Sequence, residues 1–258
     1  MKRKSKMKKL TVHLGKKSGR GVTGRITVRH QGGRRKRRLR IIDFGRSNNR
    51  DVPARVEAIE YDPNRNADVA LLCFENGDWS YIIAPLGLKV GVKLVASELA
   101  PIEPGNALPL NKIPIGTQIH NIEIKPGKGG QIVRGAGSAA VIHGREKDYI
   151  SVKLPSGEIK RFKPGCFATI GQVGKAELRS ERIGKAGRKR RMGIRPTVRG
   201  TAQHPGAHPH GGGEGRSGVG MKHPKTPYGK PAVGKTRKRK KYSDKLIIKK
   251  RKPGKHSH

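Results

Sequence analysis

The chain has 258 residues, of which 59 are Lys or Arg and 18 are Asp or Glu, a formal net charge of +41. Such a field repels itself and opposes a compact state unless a polyanion neutralises it, which points to nucleic acid as the partner. No stretch approaches the roughly 20 apolar residues of a membrane span, and the N-terminal MKRKSKMKKLTVHLGKK lacks the apolar centre of a secretory signal.

The charge is uneven. Residues 1–40 carry 17 basic and no acidic residues, 41–180 carry 18 basic and 15 acidic, and 181–258 carry 24 basic and 3 acidic. Only the middle has the apolar density to bury a core. The flanks would lose conformational entropy on ordering without apolar burial to offset it, so both are expected to be disordered until bound.

In chain order the middle reads as short strands at 39–44, 54–61, 68–74, 79–84, 93–96, 119–124, 139–143, 149–154, 158–162 and 168–173. They are rich in Ile, Val, Phe and Tyr and separated by turn signals, with no convincing long helix, the pattern of barrels or sandwiches. Asn76-Gly77 and Ser156-Gly157 predict hairpins, each with the positive φ of a type I′ turn. A Pro/Gly/Asn-rich stretch at 101–106 separates two strand sets. The fold class is therefore all-β: a basic N-terminal arm over 1–38, an OB-like five-stranded barrel over 39–107, an SH3-like barrel over 108–180, and a basic Gly-rich extension over 181–258. Cys73 and Cys166 lie far apart without metal spacing and read as small buried apolar residues in a reducing compartment.

Four basic segments look built for phosphate. The first holds Arg29, His30, Arg34, Arg35, Lys36 and Arg40 around Gly32-Gly33. Glycine lets a sugar-phosphate chain come close, and Arg forks match phosphate oxygens. The second, KPGKGG, presents Lys125 and Lys128 from a loop. The third, GKAGRKRRMGIRPTVRGT, contains Lys185, Arg188, Arg190, Arg195 and Arg199. The fourth, KTRKRKK, includes Lys235 and Arg237; a solvated tail or localisation signal is its bland reading. Aromatics are only 4% of the chain. Tyr61, Phe74, Trp79, Tyr81 and Phe162 sit in strand patterns and are assigned to the core, so recognition should rest on RNA shape, phosphates and 2′-hydroxyls rather than splayed bases.

Two motifs are decoys. GKPAVGKT at 229–236 matches a phosphate-binding P-loop, but HPKTPY before it and RKRKKYSD after it offer neither the strand nor the helix that loop needs. His204, His208 and His210 suggest zinc, yet Pro and Gly between them preclude a helix presenting them together. His208 has no neighbouring carboxylate to orient it as a base; residue 207 is Ala, and Glu214 lies beyond a Gly run. No metal, cofactor or catalytic residue is expected.

At GIRPTVRGTA (193–202), followed by HPHGGGEG (208–215), the chain resembles the universal large-subunit ribosomal protein two family in its bacterial or organellar form. YDPNR (61–65), GNALPL (105–110), HNIE (120–123), KPGKGGQ (125–131) and GKAG (184–187) follow in family order. The resemblance implies OB-like and SH3-like barrels with extended arms threading rRNA. It implies a primary binder of 23S-type rRNA that supports subunit association, tRNA binding and the peptidyl transferase region, alongside neighbouring ribosomal proteins, the small subunit and tRNA. Arg65 and Arg134 join the expected rRNA contacts. His208, His210, Gly211, Gly212, Gly213 and Glu214 are expected near the reaction centre in an architectural role. The expected setting is the cytoplasmic ribosome of a bacterium, or an organelle's, without membrane contact or self-association.

Departures from the family pattern are a shorter N-terminal arm, Ala207 for the usual Asp, Arg34-Arg35 where Gly-His is frequent, and Arg191 where Trp is frequent. A DNA-compacting protein would use the same charge, and competition between rRNA and duplex DNA separates the two. A nucleotide hydrolase would show as phosphate release lost on Lys235→Ala.

Overall fold

The computed structural model describes residues 8–233 and 241–252. Its strands are β1 (Thr11–His13), β2 (Arg38–Arg40), β3 (Ala54–Glu60), β4 (Val69–Phe74), β5 (Trp79–Ile83), β6 (Lys93–Leu94), β7 (Ala107–Pro109), β8 (Gln118–His120), β9 (Ile122–Glu123), β10 (Gly130–Ile132), β11 (Ala140–Arg145), β12 (Ile150–Lys153), β13 (Ile159–Phe162), β14 (Phe167–Ile170) and β15 (Ile247–Lys249). A short helix, α1, spans Ala186–Met192. The class is all-β, as the sequence predicts.

Packing groups the described residues into two units that do not follow linear order. One comprises 8–15, 36–182 and 245–251; the other comprises 16–35, 183–233, 241–244 and 252. The first unit holds both strand sets. Its four-stranded sheet runs β5-β4-β3-β6. The predicted fifth strand at 39–44 is reduced to β2, which pairs with β1, and to a single parallel bridge from Ile42 to Tyr81. A larger sheet has seven strands in the order β15-β13-β12-β11-β8-β14-β7, and β9 pairs with β10 separately.

Strand β4, VALLCF, shows why this sequence makes a central strand. Val69 and Leu71 enter one core cluster with Ile42, Tyr81 and Val173, while Ala70, Leu72 and Phe74 enter another with Val56 and Ile82. A strand covered on both faces needs an unbroken apolar run rather than alternation. The second set packs around Leu110, Ile113, Ile119, Ile122, Ile142 and Val152. Burying one such side chain contributes about 1.5–3 kcal/mol, which makes these clusters the main source of order in this unit.

Two turn assignments are corrected. At Asn76-Gly77 only Gly77 has positive φ (88°), so the turn is not type I′. Phe74 N–H donates to Asp78 O, and Gly77 N–H to Phe74 O, both at 2.9 Å. The loop thus has three residues, with glycine taking the left-handed position of a bulge. Leu154, Gly157 and Glu158 repeat the geometry.

The predicted strand 119–124 is broken at Asn121, whose φ of 51° turns the backbone between β8 and β9. The Asn121 side chain donates to Phe44 O at 3.0 Å. A Cβ on Gly130 would lie 2.1 Å from Asn121 Oδ1, so only glycine fits there.

Cys166 is buried and Cys73 half-buried, both as free thiols. Burial, with Glu123 nearby, pushes the Cys166 thiol up to about 11. Of the aromatics assigned to the core, Phe74, Tyr81 and Phe162 are buried and Trp79 packs against the core. Tyr61 is not core: it is 67% exposed, just beyond the end of β3, with Lys175 Nζ 4.9 Å from its ring centre.

Candidate nucleic-acid interface

The sequence reads the two arms as separate segments. In the structure, parts of both fold against each other. Gly32 N–H donates to Gly193 O at 2.8 Å, Arg195 N–H to His30 O at 3.0 Å, and Arg35 N–H to Arg191 O at 3.2 Å. Gln31 and Ile194 form an antiparallel bridge.

Helix α1 ends at Gly193, whose φ of 95° supplies the left-handed C-terminal turn. A Cβ there would stand 3.3 Å from both Arg34 Cβ and Gly32 O. Among the described residues of this unit only Gly19 and His208 are buried. It is therefore organised by backbone hydrogen bonds rather than by an apolar core.

This pairing builds a groove of about 400 Å³ lined by Lys16, Gly32, Gly33, Arg34, Arg35, Arg190, Arg191, Ile194 and Arg195. Six of these side chains are cationic and none is acidic. Arg34 Nε is buried without a hydrogen-bond partner among the described residues.

The groove gathers Arg34, Arg35, Arg190 and Arg195 from the expected set. Lys16 carries no sequence signal of its own, since only the fold brings it to this place. Arg191 stands out in the sequence only as a departure from the family pattern. Arg29, Lys36, Lys185, Arg188 and Arg199 are exposed, while His30 is half-buried. Lys235 and Arg237 lie outside the described residues.

The first unit carries a second basic surface. Lys125 and Lys128 are exposed on the loop between β9 and β10. The buried carboxylate of Glu123 fixes that loop by accepting from Gly127 N (3.1 Å), Gly129 N (2.8 Å) and, on β14, Phe167 N (3.0 Å). Three N–H donors satisfy a charge that would otherwise be costly to bury.

Beside the loop, Arg134 and Arg65 both face the Phe44 ring, at 4.3 and 5.9 Å from its centre. Burial and the Arg65 charge lower the Arg134 pKa from its ordinary value. Arg65 also pairs with the buried Asp62 at 2.7 Å, and Arg40 pairs with Glu60 at 3.0 Å. These ion pairs tie Arg40 and Arg65 into the scaffold.

The His-Pro-His-Gly-Gly-Gly segment is a tight turn. Gly211 N–H donates to His208 O at 2.9 Å and Gly212 N–H to Gln203 O at 3.3 Å. The His208 ring lies against Gly200, where a Cβ would stand 2.4 Å from its Cε1.

His210 N–H donates to His208 Nδ1 at 3.1 Å, and Lys225 N–H to His210 Nε2 at 2.9 Å. Burial, His210 and Arg29 lower the His208 pKa. A neutral ring accepting at Nδ1 holds the turn, and that nitrogen is already occupied. Glu214 is exposed. No group of three or more His, Cys, Asp or Glu is placed to hold a metal among the described residues. Of the P-loop decoy, 229–233 is bend with an isolated bridge from Pro231 to Lys225, and 234–236 lie outside the described residues.

An all-β unit, together with glycine-rich, arginine-lined arms, defines a basic RNA-binding protein. Residues 7–96 match the family described as Ribosomal Proteins L2, RNA binding N-terminal domain, and residues 103–229 match Ribosomal Proteins L2, C-terminal domain. The chain belongs to the ribosomal protein L2 family, and with it to the RNA-binding structural proteins of the large ribosomal subunit. Among the described residues no helix is long and apolar enough to cross a membrane.

Proposed function

We propose that this chain binds 23S-type rRNA and, from that position, supports subunit association, tRNA binding and the organisation of the peptidyl transferase region. The single observation that carries the reading is the inter-arm groove, where six cations converge without a carboxylate. Arg29, His30, Lys185, Arg188 and Arg199 add phosphate contacts from the same unit, and Lys36 adds one from the first. Lys125, Lys128 and Arg134 form a second contact on the barrels, assigned as 39–107 and 108–180. His208, His210, Gly211, Gly212, Gly213 and Glu214 act as an architectural turn near the reaction centre. The chain works as a single copy among neighbouring ribosomal proteins, the small subunit and tRNA. Its setting is a bacterial cytoplasmic ribosome, with an organellar one as the alternative.

The experiment is co-sedimentation with large subunits and binding to rRNA fragments across a salt series. With 6–10 phosphate contacts, affinity should fall about 10³–10⁵-fold between 50 and 200 mM salt. A flat response would reject phosphate-driven binding. Arg195→Ala with Arg199→Ala should weaken association, and normal assembly of that variant would remove these residues from the interface.

A further inference from the structure

We infer that the groove between the two arms is a site for closely spaced phosphates, two or more held together, as where an RNA strand folds sharply on itself. This rests on the rRNA-binding reading and adds the form of RNA the groove selects.

Lys16, Arg34, Arg35, Arg190, Arg191 and Arg195 share one cavity of about 400 Å³. None of the six forms an ion pair with a carboxylate among the described residues. A phosphodiester carries one negative charge, so a single phosphate leaves most of this field unneutralised. The groove is also concave and within the size range of small-ligand sites, roughly 300–1,000 Å³. An extended strand sliding over a flat basic face would need no such enclosure.

Local structure supports close approach. Gly33 sits in the groove wall, and a Cβ placed there would meet only Ser18 Oγ, at 3.9 Å. The wall is therefore open to a phosphate at backbone distance. Arg34 lines the same wall and is half-buried, so it has less side-chain freedom to lose on meeting a phosphate than a fully exposed arginine would. Three backbone hydrogen bonds between the arms fix the two sides relative to each other. That fixed spacing lets the site discriminate paired from single phosphates.

The same chemistry is offered by a folded RNA strand and by free polyphosphate, and the experiment separates them. The full chain is titrated with orthophosphate, pyrophosphate and tripolyphosphate at constant ionic strength. Tripolyphosphate should bind at least tenfold more tightly than orthophosphate. Arg34→Gln with Arg191→Gln should reduce tripolyphosphate affinity about tenfold, while Lys89→Gln with Lys153→Gln, which removes equal charge at exposed positions elsewhere, should leave it unchanged. An equal loss in both pairs, or no preference for linked phosphates, overturns the proposal.

Lys16→Gln makes none of the backbone bonds joining the arms and should also weaken tripolyphosphate binding, so misfolding of the double variant does not decide the matter. An rRNA fragment should displace tripolyphosphate competitively; simultaneous binding of both would assign the groove to a free polyphosphate and overturn the RNA-fold reading. Absence of rRNA binding by the unaltered chain would instead reject the functional reading, independently of the polyphosphate arms.

Discussion

Gly32 donates its N–H to the Gly193 carbonyl at 2.8 Å, so residues from opposite ends of the chain share one hydrogen bond. Gly193 does so with φ of 95°, and a Cβ there would press on Gly32 O and Arg34 Cβ at 3.3 Å. Gly193→Ala should cost about 1–3 kcal/mol locally. Hydrogen exchange of the Gly32 amide in the rRNA complex should then quicken by about fivefold or more, with the barrels' exchange unchanged. Unaltered exchange at Gly32 would mean that the arms are not joined there.

Glu123 should be among the least replaceable polar residues. Its oxygens accept from Gly127, Gly129 and Phe167. Glu123→Gln turns part of that acceptor into a donor facing donors, at about 2–4 kcal/mol. Thermal unfolding should show a lowered Tm. Removing a negative charge should strengthen RNA binding on electrostatic grounds alone; weaker binding would show that the fixed loop matters more than the charge.

His120 predicts a pH dependence. The ring is 1% exposed and its Nδ1 lies 2.8 Å from Gly171 O. Burial, with the Arg46 charge adding to it, lowers its pKa to about 4 against the Gly171 hydrogen bond, from an ordinary 6.5. The unfolded chain takes up a proton at this residue before the folded one does. Stability is therefore full above about pH 6.5 and falls as pH drops toward 4, by about 3 kcal/mol in all. His120→Gln should lack this component in denaturation measured at pH 7 and pH 5. Parallel losses in both proteins would refute it.

His208 should be replaceable by an acceptor and not by Ala. Asn can accept from the backbone, whereas Ala leaves a void against Gly200. His208→Ala should abolish protection of the His210 amide, and His208→Asn should retain part of it, read by hydrogen exchange in assembled particles. Acidification should have the same effect as Ala, because a proton on Nδ1 removes the acceptor.

The sequence made the strands legible where apolar runs were long, as in VALLCF and WSYII, because burial on a sheet demands them. It could not show the break at Asn121, whose positive φ goes with a side-chain hydrogen bond to Phe44 O, 77 residues away. Lys125 and Lys128 were legible from their glycine-rich loop, but the Glu123 anchor beneath them was not, because a lone acid carries no sign of three backbone donors. The groove was legible as two halves. Its closure depends on hydrogen bonds between arms, which leave no periodic trace.

Strand β15 seats on β13 and forms the edge of the seven-stranded sheet. A chain made from its N-terminus must emit the whole basic extension before residues 247–249 can cover that edge. Until then β13 offers unpaired backbone donors and acceptors to any passing strand, a recognised route to aggregation. Early capture of the polycation by RNA would keep the nascent sheet apart from its neighbours while its last edge is still open.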